Sequence, residues 1–125
     1  MAVIRNSNHD LLMHLRDDVV GIAWPGHWSA LGGGCDPGEM PADAIVRELA
    51  EEAGLVVTDL AELFEITDEH GSGQRLTVFA ASWDGDPAGL HLNEGTELRF
   101  VSPAELGDLT IPPFIRDVLA RAASV

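Results

Sequence analysis

The chain contains no lysine and a single cysteine, and each shortage excludes a class of chemistry. All seven basic residues are arginine, so neither a phosphate-loop lysine nor a lysine Schiff base is available. Cys35 has no second cysteine with which to form a disulfide, which agrees with a reducing compartment. No apolar run is long enough to cross a bilayer, and the first ten residues do not resemble a secretory signal. We therefore expect a cytoplasmic protein with no membrane partner.

Positive charge is also scarce, because 21 Asp and Glu residues oppose the seven arginines and give a formal net charge of −14. Such a surface repels the phosphates of DNA and RNA, so we expect no nucleic-acid polymer as a partner. A small phosphorylated ligand is compatible with this charge if a divalent cation screens the phosphates. With 125 residues, 46% of them hydrophobic, the chain is expected to form one domain over residues 1–125.

Glycine and proline separate short periodic segments, which predict a mixture of strands and helices. The predicted strands cover residues 2–5, 10–16, 56–67, 74–83 and 97–101. A helix is predicted from Pro41 to Ala53, because Pro suits the first helical position and Gly54 suits the residue after the last. A capped helix start is predicted at 102–105, and a last helix is predicted after Pro112-Pro113.

The predicted helix 41–53 has an apolar face and an acidic face when its residues are placed at about 100° each. The apolar face comprises Ala42, Ile45, Val46, Leu49, Ala50 and Ala53. Glu48, Glu51 and Glu52 fall within an arc of about 100° beside it, and Arg47 can pair with Glu51 one turn later. A hard divalent cation would relieve the repulsion among three converging carboxylates. A solvated acidic surface is the alternative interpretation of the same residues.

A glycine-rich loop at 32–39 precedes this helix and lets the backbone approach a ligand closely. From Gly33 the sequence continues with five residues, Glu39, seven residues, and then Arg47-Glu48-Leu49-Ala50-Glu51-Glu52-Ala53-Gly54-Leu55. This pattern resembles the Nudix box at every defining position. A looser resemblance to the same family extends over residues 2–6, 11–16 and 97–103.

The resemblance implies an α/β (α+β) fold, an α/β/α sandwich with a mixed sheet and a loop-helix-loop catalytic motif. It also implies a pyrophosphohydrolase that uses Mg²⁺ or Mn²⁺ and directs water at phosphorus. The implied substrate is a nucleoside triphosphate or a nucleoside diphosphate linked to another moiety. By position, the metal ligands are expected to be Glu48, Glu51, Glu52 and the carbonyl of Gly33. Supporting roles are expected for Glu39 and Arg47.

The resemblance leaves the general base open, since family members use either a box glutamate or an acid from a later loop. Glu52 and Glu97 are equally good candidates, Glu94 lies near Glu97, and Glu51 completes the catalytic set. Phosphate contacts are predicted at Arg16 and Arg75, because guanidinium groups bind phosphates in a bidentate manner. A stacking contact with a base is predicted at Trp28. The other aromatic candidates for stacking are Trp24, Phe79, Trp83 and Phe100.

Two other functions are compatible with the sequence. A nucleotide-sensing module with this fold but without catalysis is the main alternative, although a sensor does not need all three carboxylates. An isomerase acting on a prenyl diphosphate is less favoured, because we expect no extra elements to close over a carbocation. The match starts at the first predicted strand, so an additional amino-terminal strand is not expected, and both a monomer and a homodimer remain open.

Overall fold

The computed structural model describes residues 1–68 and 73–124, in which six strands form one mixed sheet. The strands are β1 (Ala2–Arg5), β2 (Leu11–Leu15), β3 (Trp28–Ser29), β4 (Ala61–Thr67), β5 (Arg75–Ser82) and β6 (Glu97–Val101). The helices are α1 (Pro41–Ala53) and α2 (Pro113–Ala123), with short 3-10 helices at Pro87–Gly89 and Pro103–Asp108.

The strand pairing places the glycine loop beside the first strand. β1 pairs in parallel with β5 and antiparallel with β2, while β4 pairs antiparallel with β5. β6 occupies one edge of β2 along its whole length, so β1 and β3 share the other edge. An isolated bridge between Ala2 and Leu31 then holds the chain at the point where the glycine loop begins.

The alternation of side chains in the strands builds a separate core on each face of the sheet. Val3, Met13 and Val78 face the core that includes α2. Ile4 and Phe79, with opposite parity, face the core that includes α1. Each α-helix therefore covers one face, and the predicted α/β/α sandwich with a mixed sheet is confirmed.

Helix α1 has the predicted bounds but not the predicted orientation. Ala42, Val46 and Ala50 were expected in the core and are exposed instead. The buried residues are Ala44, Ile45, Leu49, Glu52 and Ala53. The helix is therefore rotated about its axis toward its acidic side. The sheet contacts a narrower apolar stripe than the sequence pattern suggested, and the side chain of Glu52 is buried beside that stripe.

Two further segments differ from the predictions. The strand expected over 56–67 begins only at Ala61, because the preceding Asp59 carboxylate accepts the N–H of Ser82 (3.1 Å) and ends the ladder there. Most of the turn predicted at 68–73 lies outside the described residues. Among the described residues, no helix combines the length and the apolar character that a membrane span requires.

Candidate functional site

A cleft of about 380 Å³ lies between the start of the glycine loop and the buried side of α1. It brings together acidic, basic and aromatic side chains from distant parts of the chain. The polar lining includes Glu48 and Glu52 from α1, Glu94 from the segment before β6, Arg16 after β2, Ser29, Asp68 and Gln74. The aromatic lining consists of Trp24 and Phe114. We refer to this surface as the acidic cleft.

Of the two glutamates of α1 that line the acidic cleft, Glu52 is more buried than Glu48, with 7% of its surface exposed. Its Oε2 accepts the backbone N–H of Gly32 at 2.9 Å, which joins the helix to the glycine loop. Burial, together with the negative charges of Glu48 and Glu94, raises the pKa of Glu52 to about 7, although the Gly32 bond acts in the opposite direction. Without a cation, this carboxyl is partly protonated at neutral pH.

Glu48 lies one helical turn before Glu52 and points toward the same loop. A Cβ added to Gly33 would lie 3.2 Å from the Glu48 carboxylate, a distance shorter than ordinary contact. A side chain at residue 33 would therefore press on this carboxylate, and glycine lets the backbone of the loop approach it closely. Gly33 itself is half-buried and lines the acidic cleft beside Glu48.

Arg47 connects the glycine loop to α1 through several carboxylates. Its Nε and Nη2 donate to the two oxygens of Glu39 at 2.8 and 2.7 Å, in a bidentate pair. Its Nη1 donates to Glu48 and to Glu51, each at 3.0 Å. The guanidinium, assisted by the N–H of Asp36, lowers the pKa of Glu39 to about 2. Glu39 and Arg47 thus lie where the resemblance places supporting residues.

Glu51 does not join the other two glutamates in the acidic cleft. Its side chain is 60% exposed, and its carboxylate turns toward Arg47. Among residues 1–68 and 73–124, no group of three or more His, Cys, Asp or Glu side chains is arranged to hold a metal ion. Residues four apart on a helix are separated by about 40° and residues three apart by about 60° in the other direction. Glu48 and Glu52 therefore meet, while Glu51 diverges.

The other predicted contacts are divided between the acidic cleft and places away from it. Arg16 lines the cleft, where its Nε donates to the carbonyl of Ala23 at 2.7 Å. Glu97 lies on β6, is exposed, and pairs with Arg99 at 3.1 Å.

Trp28 and Arg75 also lie outside the lining of the acidic cleft. Trp28 is buried in the core on the α2 side, with the Arg99 guanidinium 4.9 Å from its ring centroid. Arg75 is exposed and forms an ion pair with Glu65. Strand pairing explains these positions. Trp28 is on β3, where it pairs with Leu15 of β2 inside the sheet, and Arg75 pairs with Thr67, the last residue of β4.

Sequence reasoning missed Asp68 and Phe114 as residues of the site. Asp68 is 3% exposed, and its carboxylate accepts the indole N–H of Trp24 at 3.2 Å. Phe114 contacts the Trp24 ring, with a centroid separation of 6.0 Å. An acid directly after a strand is a weak signal that applies to Asp68. Phe114 carries no such signal, since its spacing on α2 fits core packing.

Comparisons with known proteins agree with this fold. The model of the NUDIX domain family matches residues 1–122. The 8-oxo-dGTP diphosphatase of Escherichia coli strain K12 is 28% identical over 124 residues, covering 97% of this chain and 92% of that protein. An RNA pyrophosphohydrolase of Novosphingobium aromaticivorans is 32% identical over 117 residues, covering 77% of this chain and 70% of the relative.

A solved structure supports the fold independently of sequence similarity. The NUDIX domain of Shewanella oneidensis NrtR, in complex with ADP ribose, superposes with a TM-score of 0.79. The superposition covers 98% of this chain and 83% of that one at 15% identity. The family model spans almost the whole chain, and the curated relatives are nucleotide hydrolases. The chain therefore belongs to the Nudix family of hydrolases, enzymes that act on phosphoric anhydrides.

Proposed function

We propose that this hydrolase cleaves the diphosphate linkage of a nucleoside triphosphate, or of a nucleoside diphosphate joined to another group, with Mg²⁺ or Mn²⁺ as cofactor. The observation that carries this proposal is the juxtaposition of Glu48, buried Glu52 and the Gly33 backbone in the acidic cleft. The same cleft contains an arginine and two aromatic rings, which are suited to phosphate and base. The two curated relatives are named for action on 8-oxo-dGTP and on RNA pyrophosphate.

The donor atoms of the acidic cleft fit a hard divalent cation. Glu48 and Glu52 offer carboxylate oxygens, and Gly33 offers a backbone carbonyl. Mg²⁺ is commonly held by one or two carboxylates together with waters and substrate phosphates, so the divergence of Glu51 does not prevent binding. Nudix hydrolases generally use divalent metals. A cation held by these residues would supply positive charge to neutralise the phosphate oxygens of the substrate.

We assign proton transfer from the attacking water to Glu94 in place of Glu97. Glu94 lines the acidic cleft with Glu48 and Glu52, whereas Glu97 is held by Arg99 on β6. A general base must lie within reach of the water that it activates, which favours the residue in the cleft. Arg16 retains N–H groups beyond its bond to Ala23, and these are suited to donate to a phosphate.

We also propose that Trp24 and Phe114 receive the base, in the role first predicted for Trp28. Trp24 has a backbone φ of +52°, a conformation that is uncommon for a bulky residue and often accompanies function. Its bond to buried Asp68 fixes the indole at the acidic cleft. The two rings together offer an apolar surface on which a base can stack.

The central test is a substrate panel assayed for release of phosphate or pyrophosphate. It comprises nucleoside triphosphates, 8-oxo-dGTP, ADP-ribose and a short RNA with a 5′ triphosphate, each with Mg²⁺, Mn²⁺ or EDTA. We expect hydrolysis of at least one small nucleotide and a loss of about 100-fold or more in EDTA, because the cation carries much of the charge stabilisation. The net charge of −14 predicts weaker activity on the RNA.

Two results of the panel would contradict the proposal. Calorimetric binding of a nucleotide with no product over hours, in either metal, would indicate the sensing module. Undiminished hydrolysis in EDTA would remove the divalent cation from the reaction.

Arg47 provides a prediction about the support of the site. We expect Arg47→Ala to lower kcat by about 10- to 100-fold and to weaken Mg²⁺ activation, because residues that orient metal ligands have effects of this size. Arg47→Lys should recover only part of the loss, since an ammonium cannot bridge Glu39, Glu48 and Glu51 as a planar fork does. Titration of activity with Mg²⁺ measures both effects.

Arg116→Ala is the matched control for the loss of one arginine, because Arg116 is exposed and donates to the carbonyls of Leu106 and Leu109, away from α1 and the acidic cleft. Its activity should equal that of the wild type. Wild-type Mg²⁺ dependence in Arg47→Ala would show that the network around Arg47 does not orient the carboxylates.

A further inference from the structure

The segment that carries Glu94, residues 91–96, is neither helix nor strand, yet it is bonded to two structural elements on either side of the acidic cleft. On one side it contacts the carboxyl end of α1, and on the other it contacts the end of β2. We call this segment the acid loop. Hydrogen bonds from Asn93, Glu94, Gly95 and Thr96 attach it to the rest of the protein.

Asn93 attaches the acid loop to α1. Its backbone N–H donates to the carbonyl of Glu52 at 2.7 Å, and its side-chain amide donates to the carbonyl of Glu51 at 2.8 Å. The last carbonyls of a helix have no partner within the helix, and here a distant asparagine satisfies two of them. The acid loop is therefore fixed directly to the turn of α1 that carries Glu52.

His14 attaches the same loop to β2. The ring is 5% exposed, and its Nε2 lies 2.7 Å from the carbonyl oxygen of Glu94. A carbonyl can only accept a hydrogen bond, so Nε2 carries the proton and donates. Burial lowers the pKa of His14, which agrees with a neutral ring. The adjacent Thr96 N–H donates to the carbonyl of Leu15 at 2.9 Å and continues the attachment.

Gly95 allows this close contact between loop and ring. Its φ is +82°, and a Cβ at this position would lie 2.2 Å from Nε2 of His14. Its N–H also donates to the Asp17 carboxylate at 3.3 Å. The backbone from the Glu94 carbonyl to Thr96 is therefore held at the end of β2, and any side chain at residue 95 would separate the two.

We propose that Asn93 and His14 are positioning residues, which together hold the Glu94 carboxylate at a fixed place in the acidic cleft relative to Glu52. This inference rests on the proposed function, in which Glu94 accepts the proton of the attacking water. Asn93 sets the distance from α1, and His14 sets the distance from β2. Loss of either side chain should lower the rate without any contact with the substrate, because a small displacement of a catalytic group slows the reaction.

The test combines single variants with a Glu94→Gln background. Asn93→Ala and His14→Leu should each lower kcat by about 10-fold, with KM changed less than threefold. His14→Gln should stay within about threefold of the wild type, because its amide supplies a donor near the place of Nε2. In the Glu94→Gln background, Asn93→Ala should cause no further loss, since residues that act as one unit are not additive.

Asn8→Ala is the matched control for Asn93→Ala, because Asn8 is exposed in the turn between β1 and β2. Amide hydrogen exchange over residues 93–96 should rise in Asn93→Ala and stay unchanged in the control. If His14→Leu fails to fold, His14→Phe, which keeps a ring but has no donor for the Glu94 carbonyl, takes its place, and wild-type kcat in that variant would show that His14 does not position the loop.

Several results would overturn the proposal. An equal loss from Asn93→Ala with and without Glu94 would show that Asn93 acts elsewhere, and full activity of Glu94→Gln would show that the loop has no acid to position. Both results require an active wild type, so they are distinguishable from failure of the proposed function, in which the wild type hydrolyses nothing in the substrate panel.

Discussion

Glu52→Gln is expected to lower the rate of diphosphate hydrolysis by about 10³-fold while the fold is retained, a loss within the usual range for a catalytic carboxylate. Glutamine has the same shape and still presents an oxygen to the N–H of Gly32, so the link between loop and helix survives. What is lost is the negative charge beside Glu48 in the acidic cleft. Steady-state rates over a range of Mg²⁺ concentrations should show lower turnover and a weaker response to the cation.

Glu62→Gln is the control for this substitution, since Glu62 is an exposed residue of β4. It removes the same charge from the protein at a position away from the cleft, and its rate should equal that of the wild type. Wild-type turnover by Glu52→Gln would remove Glu52 from the mechanism. It would also make the burial of this carboxylate a matter of packing alone.

The second large effect concerns stability in the absence of metal. In EDTA, we expect Glu52→Gln to be more stable than the wild type at pH 8, with the difference shrinking toward pH 4.5. The folded protein holds the pKa of Glu52 at about 7, well above the ordinary value of 4.5. Between these two values the folded state binds more protons than the unfolded state, so the stability of the wild type falls as pH rises. The glutamine variant has no proton to lose.

The size of this difference follows from the pKa shift. At 1.36 kcal/mol per pKa unit, the buried carboxylate costs about 3 to 4 kcal/mol in the metal-free wild type well above pH 7. Urea unfolding of both proteins at pH 5 and pH 8 measures it, and other titrating groups cancel in the comparison. A stability difference that is equal at the two pH values would show that Glu52 titrates normally in the folded protein. Added Mg²⁺ should stabilise the wild type more than the variant.

The sequence is most informative where structure depends on local spacing. Pro41 and Gly54 mark the ends of α1 because each satisfies a local backbone requirement, and the predicted bounds of this helix are correct. The rotation of the helix depends instead on the sheet beneath it. Ala44 is buried where Ala42 was expected. This rotation also decides that Glu52 enters the cleft and Glu51 does not.

The sequence does not predict where loop side chains point, because loops lack the regular side-chain period of helices and strands. Glu94 and Glu97 are equally acidic in the sequence, but the register of β6 against β2 makes Glu97 the partner of Leu15 at the strand end. The hydrogen bond from Asn93 to α1 holds the acid loop, which precedes β6, beside the acidic cleft. The contact between Trp24 and Asp68 joins residues 44 positions apart, and neither residue alone signals it.

The proposed cation ligands and the proposed base-binding residues of the acidic cleft come from different segments of the chain. The carboxylates proposed to hold the cation are side chains of one helical turn, whereas Trp24 and Asp68 lie in connections between elements and Phe114 lies in the first turn of α2. Substitutions and insertions are better tolerated in such connections than in a packed helix. Substitutions in the connections that carry Trp24 and Asp68 can therefore alter the proposed base contact while Glu48 and Glu52 stay in place on α1.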